Sequence, residues 1–387
     1  MSTRKRIPLA WKQLVSQRRR LIAAIAGITF AVVLLLVQLG FKDALMRSAT
    51  AVHRNLDADL VMFSQALEYL GSDHPFASVR LYQCLADPEV AEVEPFLVHL
   101  GKFRNLDNGY SRSLLVMGVT PGSRSLMIPG VVTNADALKV TGNLLFDRYS
   151  MPLYGPVAET FRKRGPFPVV AMNKRASIVG LFDLGTSFIA YGNIVTGIPT
   201  FQQLFPDTPR GLVNFGLIRV KDGADPAAVR DRLRARLGGT DVTVVTKAQF
   251  IQQELDYWAN TAAIGFVFEI GAIMGLIVGM VIVYQILYTD VNDHLPEYAT
   301  LKAMGYPNGY FSRLVLKESL ILSLLGYPPG ALISWAIYAY TSSTTGWAMV
   351  LTPGKIAFTY ALTLVMCVLS GCLAMRRVQH ADPAEIF

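Results

Sequence analysis

Cysteine is scarce: Cys84 stands alone mid-chain, and Cys367 and Cys372 follow near the end. No disulfide framework and no Cys/His metal spacing can be built from three such residues, so packing is their expected role. Histidine is equally thin, with His53, His74, His99, His294 and His380 scattered as satisfied or solvated side chains. The nucleotide and hydrolase signatures are missing too. There is no G-x-x-x-x-G-K-[ST] pattern, and the nearest string, "TPGKIA", lacks the spacing. H-E-x-x-H and G-x-S-x-G are likewise absent, so the sequence assigns no catalytic residue, no metal and no cofactor. Charged residues make up only 17% of the chain against 52% hydrophobic, which excludes the balance of an ordinary soluble enzyme and points to a membrane.

What is present fits that reading. Four apolar stretches, Leu21–Phe41, Ile270–Thr289 (its helix starting nearer Ala262), Ser319–Tyr340 and Ile356–Met375, stand out. Each is about 20 residues long, enough at 1.5 Å per residue to cross a hydrocarbon core of roughly 30 Å. Acids are missing from the first 20 residues, which carry seven basic side chains. By the positive-inside rule that end stays in the cytoplasm. A basic block flush against an apolar span reads as a topology anchor on anionic lipid, not as a nucleic-acid arm or a cleaved leader.

Threading the spans from there divides the chain into a cytoplasmic basic N-terminus (1–20), a first span (21–41), stalks plus an outer domain (42–261), and a second span (262–289). A cytoplasmic loop (290–318), a third span (319–340), a short outer turn (341–355), a fourth span (356–375) and a cytoplasmic tail (376–387) complete it. The expected fold class is thus four transmembrane α-helices with a large α+β periplasmic domain inserted between the first two. Apolar, β-branched runs such as "ADLVMFS", "RSLLVMGV", "PFPVVAMN", "SFIAYGNIV" and "DVTVVT" predict strands. "DPAAVRDRLRARLG" predicts a surface helix, and "FASVRLYQCLADPEVAEVEP" another that ends before Asp87-Pro88.

Small residues recur every four positions at Gly271, Gly275 and Gly279, echoed by Ala23, Gly27 and Ala31 in the first span. Such rows let helices approach closely, here within the subunit or at a dimer axis. "GYPPG" at 326–330 interrupts the third span and predicts a kink. Glu269 is the ionisable residue expected inside a span, too near its end to build an ion pathway.

Between the second and third spans lies "DHLPEYATLKAMGYPNGYFSR". Pro296 suits a first helical position, Glu297 the positive start, Lys302 the negative end, and Gly305 with Pro307 stops it, giving about two turns over 296–304. Tyr298, Leu301 and Met304 share one side. A helix this short needs a surface to pack on: either lipid or, on the sharper reading, a separate cytoplasmic protein.

At these residues a family comes into view. The layout of one span, a large outer domain and three further spans, with "EYATLKAMGY" and the terminal "ADPAEIF", resembles ABC-transporter permeases of the MacB/FtsX superfamily. "PLAWKQL", "GITFAVVLLLVQLGFKDAL" and "RLYQCLADPEVAEVEP" are similar, more narrowly, to the DevC permeases of cyanobacterial glycolipid exporters. The resemblance implies a non-catalytic inner-membrane permease, homodimeric, whose ATP is bound by a separate ATPase subunit. Glu297, Tyr298, Ala299, Thr300, Leu301, Lys302, Ala303, Met304 and Gly305 would form the coupling helix that this ATPase moves. Mechanotransmission through the stalks, a periplasmic membrane-fusion adaptor and a TolC-like outer-membrane channel would then export a glycolipid or other lipid-like substrate. The rival implied by the same superfamily is an FtsX-like signal transducer that activates a periplasmic cell-wall hydrolase.

Overall fold

The computed structural model describes residues 18–187, 189–237, 241–262, 264–345 and 349–380. The first 17 residues, with four of the anchoring cations, and the terminal 381–387 lie outside the described residues. The chain divides into two compact units, one built from 1–43, 265–341 and 349–387, the other from 44–264 and 342–348.

Helix α1 (Arg18–Ala49) carries the first apolar run, and its last residues already belong to the inserted unit. There α2 (Ala51–Asn55) leads into β1 (Leu60–Ser64), the short β2 (Phe76–Ala77) and α3 (Ser78–Tyr82). A 3-10 turn at Gln83–Ala86 precedes β3 (Val90–Arg104), so "FASVRLYQCLA" is helical only from Ser78. Strands β4 (Ser111–Val119) and β5 (Asn143–Asp147), helix α4 (Val157–Arg164), strands β6 (Phe167–Ala171), β7 (Lys174–Phe182) and β8 (Asn193–Gly197), and helix α5 (Ile198–Leu204) follow. Then come β9 (Leu212–Val213), β10 (Phe215–Val220), α6 (Pro226–Arg236), β11 (Val242–Thr246) and α7 (Lys247–Asp256), with one π-helical turn at Tyr257–Thr261.

The long β3 organises this unit. Its first half pairs with β10 in an open sheet ordered β11-β1-β10-β3. The second half pairs with β4, and the run β4-β8-β5-β7-β6 returns to β3 through Phe103↔Ala171, closing a six-stranded barrel. Ring closure removes most exposed strand edges. Inside, Phe103, Phe146 and Tyr154 pack tilted and edge-on with centroids 5.5–5.8 Å apart, and all three are buried. Of the predicted strand across "SFIAYGNIV", Phe188 lies outside the described residues and the strand forms from Asn193, whose Nδ2 donates to Asp147 Oδ2 and to Gly185 O, each at 2.8 Å.

The remaining helices are α8 (Ile264–Asp293), α9 (Leu295–Ala303), α10 (Asn308–Thr345) and α11 (Pro353–His380). With α1 they supply, among the described residues, four helices long and apolar enough to cross a membrane. A Cβ added at Gly271 would lie 2.6 Å from the Gln38 amide, one at Gly275 3.1 Å from Leu34 Cβ, and one at Gly279 2.5 Å from Ala31 Cβ. The glycine row of α8 is thus pressed against α1 within this subunit, Gly27 meeting Ile282 in return. Rising numbers on α8 meet falling numbers on α1, so the two run antiparallel.

The third apolar run corrects two expectations. It is not interrupted at 326–330: α10 continues through Pro328 and Pro329. Gly326 and Gly330 face α1, where an added Cβ would meet Ile28 and Val32 at 2.6 and 2.7 Å. Thr29 Oγ1 donates to Gly326 O at 3.1 Å, so the neighbouring helix helps to hold the proline-weakened segment. The helix also starts at Asn308, ten residues before the expected loop ends, so that 308–318 belongs to α10.

Candidate functional site

The short helix α9 begins one residue earlier than its caps suggest, at Leu295, with Pro296 in the first turn. Its C-terminus is a Schellman closure. Tyr306 N donates to Leu301 O at 3.2 Å, Gly305 N to Lys302 O at 3.0 Å, and Gly305 sits at φ +92°. Only a residue without Cβ takes that conformation at little cost, which is why the Met-Gly-Tyr-Pro string stops the helix so sharply.

Here the structure corrects the sequence reading. Tyr298 is 2% exposed and packs with Val291, Phe311, Leu314, Val315 and Met375, its ring 5.4 Å from that of Phe311. Leu295 and Leu301 pack against the same cluster. The apolar side that was expected to await a partner is therefore covered by α8, α10 and α11 of the same chain, and Met304 is not on it. At 64% exposure Met304 shares the outward side with Glu297 and Thr300, while Lys302 is half-buried. Nothing is described of the Ala299 and Ala303 side chains. Beyond Gly305 the exposed Tyr306 and Tyr310, rings 5.0 Å apart, extend this side. These two tyrosines escaped the sequence reading, although two aromatics bracketing a Pro-Asn-Gly turn are the kind of signal that marks a contact surface.

Just inside this end the unit buries two carboxyls that the sequence reading placed in a solvated loop. Asp290 is 7% exposed, with His294 Nδ1 3.7 Å from its Oδ1 and, among the described residues, no hydrogen-bond partner at Oδ2. Glu318 is fully buried, and among the described residues neither of its oxygens has a hydrogen-bond partner. Arg20 pairs with Asp293 nearby. Glu269 sits towards the other end of α8, mostly exposed and paired with Lys42. Among the described residues no group of three or more metal-ligating side chains comes together.

The other expected site residues lie in the helix packing described above. Ala31 meets Gly279, Gly27 meets Ile282, and Ala23 lines a cleft with Ile282, Gln285 and Thr289.

Residues 269–383, which take in most of α8 and all of α9 to α11, match the model of the FtsX-like permease C-terminal family. Residues 269–383 are thus an FtsX-like permease domain, and the chain is similar to ABC-transporter permeases of the MacB/FtsX superfamily. Over 175 residues, 44% of the chain and 27% of the relative, it is 25% identical to the macrolide export ATP-binding/permease protein MacB of Chromobacterium violaceum. Over 406 aligned residues it is 22% identical to the probable syringafactin export ATP-binding/permease protein SyfD of Pseudomonas syringae pv. syringae, covering 97% of this chain and 59% of that protein. It therefore spans from 27% to 59% of the length of these two relatives. Among solved structures, the periplasmic region of MacB from Actinobacillus actinomycetemcomitans aligns with 51% of this chain and 94% of its own at 11% identity, with a TM-score of 0.34. That superposition is too loose to carry an argument. The FtsX-like assignment rests on the helices around α9 and makes the chain a multi-pass membrane protein.

Proposed function

We propose that the chain is the permease subunit of a MacB-like exporter, driven by an ATPase outside these 387 residues that engages α9 from the cytoplasm. The observation that carries this reading is the two-sided character of α9: one side locked into the spans, the other exposed with Glu297, Thr300, Met304, Tyr306 and Tyr310. A short helix anchored on one face and free on the other transmits a push to the helices it is packed on. A helix merely resting on lipid needs no such anchor.

In this reading the inserted domain stands in the periplasm of a bacterial inner membrane, as in the DevC type, and two permeases pair with two ATPases. A membrane-fusion adaptor and a TolC-like channel extend the path, and the cargo is a glycolipid or another amphipath. The relatives' names, one a macrolide exporter and one a probable syringafactin exporter, support the amphipathic class. With no polar conduit read in the spans, mechanical transmission to the inserted domain fits better than passage of cargo through them.

The test is co-purification of the full chain in detergent, scoring ATP hydrolysis in the eluate. Wild type should bring down an ATPase, and Thr300→Asp with Met304→Asp should lose it at least tenfold without a change in melting temperature, since both side chains are exposed. Absence of ATPase from the wild-type eluate, or its full retention by the double variant, overturns the reading.

A further inference from the structure

The closing seam of the barrel leaves a gap. Strand β6 is paired along its whole length with β7, but with β3 only at Phe103↔Ala171, extended by Met172 N donating to Lys102 O at 2.7 Å. Among the described residues the rest of the outer edge of β6 pairs with no strand. The gap is a cleft of about 540 Å³, within the range of roughly 300–1,000 Å³ typical of small-molecule sites.

One wall is apolar, from Leu106, Pro168 and Val170. At the rim stand Arg104 and Arg175, both exposed and neither with an ion-pair or hydrogen-bond partner among the described residues, Asp107 of the same tip included. The tip itself is rigid. Asn105 Nδ2 donates to Leu153 O at 2.7 Å, and its Oδ1 accepts from Asp107 N at 2.7 Å and Asn108 N at 3.1 Å. Gly109, at φ +71°, leaves room beside the Arg104 guanidinium, which a Cβ would approach to 3.4 Å. Two uncompensated guanidiniums beside an aliphatic wall and an unladdered strand edge make a preformed receptor for a molecule with both characters.

We propose that this cleft binds an amphipathic anion, its phosphate or carboxylate head between Arg104 and Arg175 and its aliphatic part against Leu106, Pro168 and Val170. The inference rests on the reading that the cargo is amphipathic, and it gives that cargo an acidic head and a place on the inserted domain.

The experiment is calorimetric titration of the full chain, held in amphipol, with octyl phosphate, inorganic phosphate and octyl glucoside. Octyl phosphate should bind saturably at one site per chain, inorganic phosphate at least tenfold more weakly, and octyl glucoside not measurably. Arg104→Gln with Arg175→Gln should weaken octyl phosphate at least tenfold, with an unchanged melting temperature as the folding control. Equal binding of phosphate and octyl phosphate, saturable binding of octyl glucoside, no saturable binding of octyl phosphate, or an unaffected double variant each overturn the proposal. The ATPase co-purification run on the wild type separates the two readings. Retained ATPase with no octyl phosphate binding sinks the cleft alone, whereas saturable binding without any ATPase sinks the permease reading.

Discussion

Glu318 of the membrane unit is a carboxyl with no exposure and, among the described residues, no hydrogen-bond donor on either oxygen. A buried polar group left without a hydrogen bond costs about 1–3 kcal/mol, and an apolar side chain of similar volume removes that cost. Glu318→Met is therefore expected to raise the melting temperature in detergent. A fall would show instead that the carboxyl is held by a partner. Sequence alone hid this residue because "RLVLKESLILS" carries flanking charges that read as loop. Only the neighbouring helices decide that Glu318 points inward. In the inserted domain, Asp87 shows the opposite case. Arg232 grips it with Nε 2.9 Å from Oδ2 and Nη2 3.1 Å from Oδ1. The hydrogen bonds from Arg232 hold the carboxyl below its usual range, with burial working against them. Since the folded value is the lower one, the pair stabilises the fold above about pH 4 and loses that contribution as pH falls through the folded value. Wild type should accordingly melt above Asp87→Asn at pH 7, and the gap should narrow at pH 3.

At the scale of elements, the glycine rows were legible as rows but not as partners. Spacing of four marks a close approach, whereas which helix approaches depends on the fold. Here α1 is held between Gly271, Gly275 and Gly279 of α8 and Gly326 and Gly330 of α10. Gly279→Leu would drive a branched side chain into Ala31 and Met366 and should cost about 1–3 kcal/mol or more by overpacking. Gly309→Ala, whose methyl meets nothing, serves as the control and should leave the melt unchanged or slightly raised. The short helix α9 was readable almost to the residue because its stop is local chemistry, a Gly at positive φ followed by Pro. Its facing was misread, since Tyr298 and Leu301 could have packed on anything. Strand β3 was missed for a related reason. "VAEVEPFLVHLGKFR" switches partners midway: its glutamates fall in the half paired with β10, where Glu92 meets Arg219 and Glu94 accepts from Ser125, and the other half pairs with β4. No single alternation runs through it.

For the whole molecule, the order of spans was evident from hydropathy and charge, because bilayer thickness fixes helix length and leaves few ways to thread four of them. Packing within the membrane unit agrees with alternating crossings: α1 and α10 run parallel, Ile28 and Val32 meeting Gly326 and Gly330 in rising order, while α8 runs against α1. The threading proposed from charge would put one crossing, α8, between the inserted domain and α9. Labelling with an impermeant maleimide tests this, in a Cys372→Ser background because Cys84 and Cys367 are buried. Lys163→Cys should react in intact cells and Met304→Cys only after the membrane is opened. Reaction of both from the same side would remove α8 as a span.

One feature of α10 bears on how such a molecule could work. Pro328 and Pro329 each lack the N–H that would bond the carbonyl four residues earlier, so two consecutive rungs are missing from the middle of a 38-residue helix. A rod weakened at its centre bends under load instead of passing it on. With α1 laid alongside and tied by Thr29 to the Gly326 carbonyl, the two behave as a laminated beam whose stiffness resides in the bond between the layers. The compliance of the membrane unit would then be set by two hydroxyls, that of Thr29 and that of Tyr338, which donates to Leu36 O, and loosening them would turn a lever into a spring.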